Sequence, residues 1–331
     1  MNTKKGLIYI TLFFMIFWFT DHSAIISGYI NDLKVNQNSL SVSQTQTILD
    51  ESSLLEKIKQ AAVKKKIEPI DARIDRVWKA IPGYNGKEVD IEKTLHLAKT
   101  LRSDEIPFVF YEVEPNIQLE DLEPQPIYKG NPNKKMVSIM VNVSWGTEYL
   151  PSILKTFESE NVHSTFFLDG KWINNNVEVA KNIKELGHEL SNHAYSHKDM
   201  SELGRKEAID EMVKTQELLT KLFNVDNQLF APPSGDFDQE TVQLAHELNL
   251  KTIMWTIDTV DWKKPTPDYI IKKISSKLEP GALILMHPTK SSSEALPELI
   301  KLIKQNGYVL GTVSDLISSK RINEVESHFN F

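Results

Sequence analysis

Residues 136–149 read MVSIMVNVSWGTEY, and this stretch decides the fold prediction. Its first part, Met136–Asn142, is a short run of apolar and β-branched residues, as expected for a strand that is buried on both faces. Similar short runs alternate with stretches of helical periodicity through the rest of the C-terminal half. This alternation predicts a parallel sheet covered on its outside by helices.

The alternation continues almost to the end of the chain. Further strands are predicted at 162–168, 188–191, 228–231, 251–255, 282–286 and 308–310. Helices are predicted at 148–160, 171–186, 201–223, 238–249, 267–278 and 292–305. About seven strand–helix repeats are fewer than a closed eight-fold barrel needs. We therefore predict an α/β fold, a distorted and incomplete (β/α) barrel, over residues 135–320.

The preceding half is predicted to hold three further parts. Residues 54–125 combine helix-like LLEKIKQAAVKKK with strand-like PFVFYEVEP and predict a small α+β domain. The Pro- and Gly-rich segment 123–135 marks its boundary. Residues 23–53 are rich in Asn, Ser, Gln and Thr, which indicates a linker with little to bury.

The first 22 residues predict export. Two lysines precede an uninterrupted apolar run from Gly6 to Phe19, which is typical of a secretory signal peptide. The run is short for a full membrane span. Both a cleaved signal peptide and a retained N-terminal membrane anchor fit it, and either places the protein at the extracytoplasmic face of the membrane or in the cell wall.

Composition excludes several classes of function. The chain has 331 residues, a net charge of −7 and no cysteine. Disulfides, thiolate metal sites and cysteine nucleophiles are therefore ruled out. An acidic chain also lacks the basic surface that nucleic-acid binding requires.

Histidines follow one of the predicted strands. The stretch SNHAYSH, residues 191–197, places His193 and His197 in one loop. In a barrel of this kind, ligands collect at the C-terminal ends of the strands. Two imidazoles so close together can occupy adjacent positions around Zn²⁺ or a similar divalent metal.

Three more loops carry candidate groups. TIDTVDW, residues 256–262, supplies Asp258 and Asp261, and LILMHP, residues 283–288, ends a strand at His287. A buried Asp–His pair can act as a general acid, because the carboxylate fixes the tautomer of the imidazole. FAPPSG, residues 230–235, predicts a rigid turn.

Taken in order, these motifs resemble the polysaccharide deacetylase family, that is, the NodB-homology domain of carbohydrate esterase family four. The motifs are NVSWG, TFFLDG, GHELSNHAYSH, FAPPSG, WTIDTVDW and LILMHP. The whole chain, including ARIDRVWKAIPGYNG and PIYKGNP, resembles the YlxY-type branch found in spore-forming bacteria. The resemblance implies a divalent metal, usually zinc, and removal of acetyl groups from N-acetylated sugars of peptidoglycan or chitin-like polymers.

The resemblance also assigns roles to individual residues. Asn142 falls on the general base, His193 and His197 on the metal ligands, His287 on the general acid, Asp261 on the orienting carboxylate, and Trp262, Tyr195 and Pro233 on the sugar groove. The family normally has an aspartate at the base position and a second aspartate as a metal ligand. Here the base position is an amide, Val143–Ser144–Trp145 supplies no carboxylate, and Ala231 replaces an arginine.

These departures predict a weak or inactive site. An amide cannot accept a proton as a carboxylate can, and loss of a general base costs about 10²–10⁴ in rate. The missing arginine is consistent with the missing aspartate, because a buried cation without a partner is strongly unfavourable. Two alternatives stay open. A nearby carboxylate, from Asp169, Asp199, Asp236 or Glu148, substitutes for the base, or the protein is a catalytically silent envelope protein that binds glycan or a partner. A metalloprotease is disfavoured because no His-Glu-x-x-His motif is present.

Overall fold

Strand β5, Met136–Val143, lies at the centre of the main sheet and is buried at every position. In this computed structural model, residues 51–101 and 105–322 are described, and the predicted signal or anchor segment lies outside them. Val137, Ile139 and Val141 pack in the core between the sheet and its helices. Met140 packs in a second core on the inner face of the sheet. Because side chains alternate along a strand, Asn142 belongs to that inner face.

The main sheet has eight strands, in the order β10-β11-β5-β6-β7-β8-β9, with β12 also pairing with β5. All of these pairs are parallel. The other strands are β6 (Thr165–Leu168), β7 (Glu189–Asn192), β8 (Leu229–Phe230), β9 (Lys251–Thr252), β10 (Ile257–Asp258), β11 (Leu283–Met286) and β12 (Val309–Leu310). No ladder joins β9 to β10 in the described part of the chain, and the predicted α/β fold with an incomplete barrel is confirmed.

Helices pack on both faces of this sheet: Val313, Leu316 and Ile317 of the last helix lie in the inner core, and the other helices cover the outer face. The helices that pack on the sheet are α3 (Leu150–Ser159), α4 (Gly170–Asn175), α5 (Val177–Glu185), α6 (Arg205–Phe223), α7 (Gln239–Glu247), α8 (Pro267–Ser275), α9 (Lys290–Gln305) and α10 (Val313–Ile317). The predicted helix at 171–186 is two helices, because Asn176 leaves helical geometry. Side-chain caps fix several helix starts, such as Thr289, which accepts a hydrogen bond from the Ser292 amide at the start of α9.

The N-terminal part of the described chain contains both helices and strands. Helix α1 is Glu51–Lys65 and helix α2 is Ile91–Leu101. Strand β1 (Arg73–Asp75) pairs antiparallel with β2 (Lys79–Ile81), and β3 (Gly86–Val89) pairs antiparallel with β4 (Phe110–Val113). These are the elements expected of a small α+β domain, and the division of the chain into domains stays a prediction. No helix among residues 51–101 and 105–322 is both long and apolar enough to cross a membrane.

A short strap, residues 127–130, bridges the open side of the sheet. The Ile127 amide donates to Thr252 O at the end of β9 (2.9 Å), and its carbonyl accepts from the Met254 amide (2.8 Å). Further along, the Gly130 amide donates to Gly281 O, just before β11 (2.8 Å). The segment predicted as a boundary therefore contacts both sides of the gap in the barrel.

His188 is a buried titratable group at the opposite end of the strands from the predicted site. It precedes β7, and its Nδ1 accepts a hydrogen bond from the Ser164 amide (3.1 Å). Its ring packs edge-on against Phe157 and Phe166, with centroid distances of 5.3 and 5.0 Å. The pKa of His188 is lowered to about 4, chiefly by burial and in smaller part by His163.

This burial predicts an acid-sensitive fold. The unfolded state takes up a proton near pH 6.5 and the folded state only near pH 4, so His188 makes unfolding easier as the pH falls through that window. We expect the free energy of unfolding to fall by about 2–3 kcal/mol more in the native protein than in His188→Asn between these pH values. Urea unfolding at several pH values measures the difference, and parallel curves for the two proteins would contradict it.

Candidate functional site

The strand ladders bring three of the predicted site residues to one edge of the sheet. Asn142 lies opposite Phe167 of β6, and Phe167 lies opposite Ser191 of β7, two residues before His193. On the other side, Val141 lies opposite Met286, so His287 emerges beside Asn142. Alternation along each strand places Asn142, His193 and His287 on the inner face at the carboxyl ends of their strands.

The two predicted metal histidines lie together. The ring centroids of His193 and His197 are 5.2 Å apart, and the rings are nearly perpendicular. His193 Nδ1 lies 2.7 Å from the carbonyl oxygen of Ala231. Because a carbonyl only accepts, Nδ1 carries the proton and Nε2 keeps its lone pair. The position predicted for the family's arginine thus holds His193 through its backbone.

The environment keeps this pair neutral. His193 is fully buried, and its pKa is lowered to about 3, chiefly by burial and in smaller part by His197 and His287. Burial and His287 also lower the pKa of His197, although the side chain of His197 remains exposed. Neutral imidazole is the form that binds metals.

A buried glutamate supports the histidine loop and could not be identified from the sequence. Glu211 of α6 accepts hydrogen bonds from the amides of Tyr195 (3.0 Å) and Ser196 (2.7 Å) and from the Ser196 hydroxyl (2.6 Å). Glu211 is 5% exposed. In a charge-rich helix its position resembles that of any surface acid, so only the tertiary structure reveals its function.

Asp261 and His287 form the predicted pair. Asp261 is fully buried, and its carboxylate accepts from His287 Nδ1 (2.8 Å) and from the His287 amide (2.6 Å). The Ser292 hydroxyl, also unrecognised in the sequence, donates to it as well. With Nδ1 protonated, His287 has Nε2 available for proton transfer. Asp258, the other predicted carboxylate, accepts from the Val260 amide and stabilises the turn.

Two oxygens on the inner face of β5 and the loop after it lack partners. Asn142 Oδ1 and Ser144 Oγ are buried and have no hydrogen-bond partner in the described part of the chain. Because residues 142 and 144 are two positions apart, both fall on the side of the inner face. Ser144 is the more accessible of the two and stands closer to the mouth of the site. Buried polar atoms without partners are rare and point to a site with a missing component.

The side chains present do not fit a tightly held catalytic metal. A catalytic zinc normally has three protein ligands. No group of three or more His, Cys, Asp or Glu side chains suited to a metal exists among residues 51–101 and 105–322. The site offers two neutral imidazoles and uncharged oxygens at Asn142 and Ser144, so no anionic ligand balances the charge of a divalent ion.

The four candidate substitute carboxylates differ in their surroundings. Asp236 accepts from the Ser201 amide and hydroxyl, while Asp199 and Glu148 are exposed. Asp169 is buried at the end of β6 and caps α4 by accepting from the Trp172 amide (2.8 Å). Burial raises the pKa of Asp169 to about 6, despite the lowering effect of the Trp172 and Lys171 amides.

The predicted groove residues lie around these groups. Trp262 directly follows Asp261 and is 51% exposed. Tyr195 lies in the histidine loop, with its hydroxyl 3.4 Å from Asn174 Nδ2, and Pro233 is buried in its turn. Trp145 has no role assigned by the sequence motifs, and its indole stacks on the imidazole of His287.

An incomplete parallel barrel with a histidine pair and an Asp–His pair at its strand ends defines the class, a deacetylase-type carbohydrate esterase fold. Comparison with known proteins agrees with it. The polysaccharide deacetylase family model matches residues 129–253. The protein YlxY of Bacillus subtilis strain 168 is 40% identical over 316 residues, covering 95% of this chain and 97% of that protein.

Solved structures show the same relationship. A CE4 family pseudoenzyme from Bacillus anthracis is 44% identical with a TM-score of 0.76, covering 82% of this chain and 96% of that one. A mutant of that pseudoenzyme with restored enzymatic activity is 42% identical with a TM-score of 0.75, covering 81% and 99%. The peptidoglycan-N-acetylglucosamine deacetylase of Bacillus cereus is 29% identical over 199 residues, covering 59% and 72%. This chain belongs to the polysaccharide deacetylase (CE4) family, whose members are generally metal-dependent.

The role of Glu211 can be tested by substitution. Glu211→Ala leaves the amides of Tyr195 and Ser196 without their acceptor, and we expect a loss of about 1–3 kcal/mol in unfolding free energy. Glu211→Gln keeps an acceptor oxygen and should lose less. Glu207→Ala, an exposed position on the same helix, is the control and should change stability by less than about 0.5 kcal/mol. Equal losses at 207 and 211 in urea titrations would contradict the assignment.

Proposed function

We propose that this protein is a polysaccharide deacetylase homologue that binds N-acetylated glycan of the peptidoglycan type and deacetylates it weakly or not at all. One observation carries the proposal. The end of β5 and the residues after it present an amide and a hydroxyl, Asn142 and Ser144, beside the histidine and Asp–His pairs. Hydrolysis of an acetamide needs a base to activate water, and neither group has the basicity of a carboxylate.

The groups of the site that keep their hydrogen bonds support retained glycan binding rather than loss of the site. The Asp261–His287 pair keeps its full set of hydrogen bonds, and Glu211 still holds the histidine loop. In our proposal His193 and His197 hold zinc or another divalent ion weakly, because two neutral imidazoles leave its charge uncompensated. His287 and Asp261 keep the general-acid and orienting positions. Trp262, Tyr195 and Pro233 line the sugar groove.

A second candidate function is residual deacetylation with Asp169 as the substitute base. Burial raises the pKa of Asp169 towards neutrality, which suits proton transfer near pH 6. Its position at the end of β6, next to β5 in the sheet, favours it over Asp199, Asp236 and Glu148. Its hydrogen bond to the Trp172 amide already gives it a structural role as a helix cap, which favours the first proposal.

The site of action in this proposal is the cell envelope. Relatives named as peptidoglycan deacetylases act on a wall polymer outside the membrane. The N-terminal segment, with its lysines and apolar run, would export the chain as a signal peptide or retain it as an anchor. The proposal that the protein acts in sporulation rests on its resemblance to the YlxY-type branch.

Restoring a carboxylate tests the central claim. We expect Asn142→Asp or Ser144→Asp, each made alone and with Ala231→Arg, to raise acetate release from chitotetraose at least about 10²-fold in one of the series. The arginine supplies a cation only where a carboxylate can pair with it, so Ala231→Arg alone should destabilise the protein. Testing both positions identifies which one faces the substrate.

The control for this experiment is the matching amide. Ser144→Asn adds a similar volume without charge and should leave acetate release at the native level. Zinc titration of each variant reports whether the new carboxylate also tightens metal binding. Folded carboxylate variants without any gain would show that the site lacks more than a charged oxygen.

Binding without turnover separates the two candidate functions. The purified protein should sediment with insoluble peptidoglycan while releasing acetate at background level. If slow release occurs, Asp169→Asn should abolish it when Asp169 is the base, and the amide can still cap α4. Release that Asp169→Asn leaves unchanged would exclude the second candidate. Absence of sedimentation would exclude the first.

A further inference from the structure

Trp145 is an exposed aromatic residue held in a defined position at the site. Its indole lies nearly parallel to the imidazole of His287, at an interplanar angle of 9° and a centroid distance of 5.9 Å. Trp145 nevertheless keeps an exposed fraction of 46%. A large apolar ring that packs against the general-acid position and still faces solvent is a candidate ligand platform.

The backbone after Trp145 fixes this arrangement. Gly146 has φ of +78°, and a Cβ there would lie 2.0 Å from the carbonyl oxygen of Pro288. Only glycine permits this approach between the loop after β5 and the loop after β11. The next residue, Thr147, accepts a hydrogen bond from Trp172 Nε1 (2.8 Å). The chain is therefore held on both sides, and binding would require little further ordering of Trp145.

A second exposed indole lies next to the Asp261–His287 pair. Trp262 directly follows Asp261, whose carboxylate holds His287, and Trp262 is 51% exposed. Among the exposed large apolar side chains of residues 51–101 and 105–322, Trp145 and Trp262 are the two tryptophans. Trp145 contacts His287 and Trp262 follows Asp261, so both indoles lie beside the hydrogen-bonded Asp261–His287 pair.

We propose that Trp145 is the specificity-determining residue of the glycan site and stacks on a pyranose ring at His287. This inference rests on the proposed glycan binding and names its mechanism. In a β-linked gluco-configured N-acetylhexosamine all ring substituents are equatorial, so each face presents axial C–H groups and is apolar. Either face fits a flat indole, whereas an axial hydroxyl, as in a galacto-configured sugar, makes one of the two faces polar and costly to place against the indole.

The sequence context gives this stacking a consequence for turnover. The resemblance places a metal-binding carboxylate within the segment Val143–Ser144–Trp145, where this chain has an indole. The segment that supplies no carboxylate for a metal thus provides an aromatic binding surface. In this proposal the uncharged groups at Asn142 and Ser144 account for the loss of turnover, and Trp145 accounts for retention of the glycan.

Calorimetric titration with chitotetraose tests the proposal on the purified chain. Trp145→Ala should weaken the dissociation constant at least about 10-fold, and Trp145→Phe, which keeps an aromatic ring, should weaken it less. The native protein should prefer the methyl β-glycoside of N-acetylglucosamine over that of N-acetylgalactosamine, which differ only in the orientation of the 4-hydroxyl, and Trp145→Ala should lose most of that preference. Tyr111→Ala removes an aromatic residue of 48% exposure from β4 and serves as the control with unchanged affinity.

The outcomes separate this inference from the proposed function. Native binding that Trp145→Ala leaves intact while Trp262→Ala abolishes it would overturn the role of Trp145 and leave glycan binding standing. No binding of chitotetraose or peptidoglycan by the native protein would overturn both. Since Trp145→Ala can alter folding, the indole N–H resonance missing from Trp145→Phe identifies Trp145 in ¹H–¹⁵N spectra of the native protein. That resonance must shift when chitotetraose is added, and an unchanged resonance at saturation overturns the inference.

Discussion

The parallel pairing of β5 with β6 and β11 is the constraint on which the site depends. These ladders fix the register of three strands, so their carboxyl ends and the loops that follow are held at one edge. Because β5 is buried on both faces, a shift of one residue would place Asn142 against the helices and Val141 inside the barrel. The positions of His193 and His287 relative to β5 are therefore set by backbone hydrogen bonds before any side-chain chemistry.

Ala231 contributes to the site through its backbone carbonyl and not through its side chain. Its side chain is fully buried in the inner core, where a cation without a carboxylate partner would be costly. Its carbonyl, however, still accepts from His193 Nδ1, an interaction that any residue at this position can make. The backbone part of the site is independent of residue identity, and the Ala231 side chain adds no charge to it. This division explains why the histidine pair keeps its geometry without a catalytic carboxylate.

The fold was predictable because its signals are local. The apolar run at Met136–Asn142 and the helical periodicities between the later strands are properties of neighbouring residues, and motif residues that follow parallel strands must meet at one edge. The two-residue strand β10 carries too little pattern to be recognised. Glu211 could not be identified, because a buried and an exposed glutamate look the same in an amphipathic helix. The stacking of Trp145 on His287 depends on the close approach of two loops. In the sequence, Gly146 is the one sign of this approach.

The strap at residues 127–130 gives the molecule a mechanical property. Its hydrogen bonds attach to the backbone at Thr252 and Met254, on the segment that leads towards Asp261. A displacement of Ile127 therefore acts on this edge of the sheet through two backbone hydrogen bonds. Movement of the strap would therefore reach the chain that leads into the loop of Asp261 and Trp262, which couples the segment before the sheet to one side of the site.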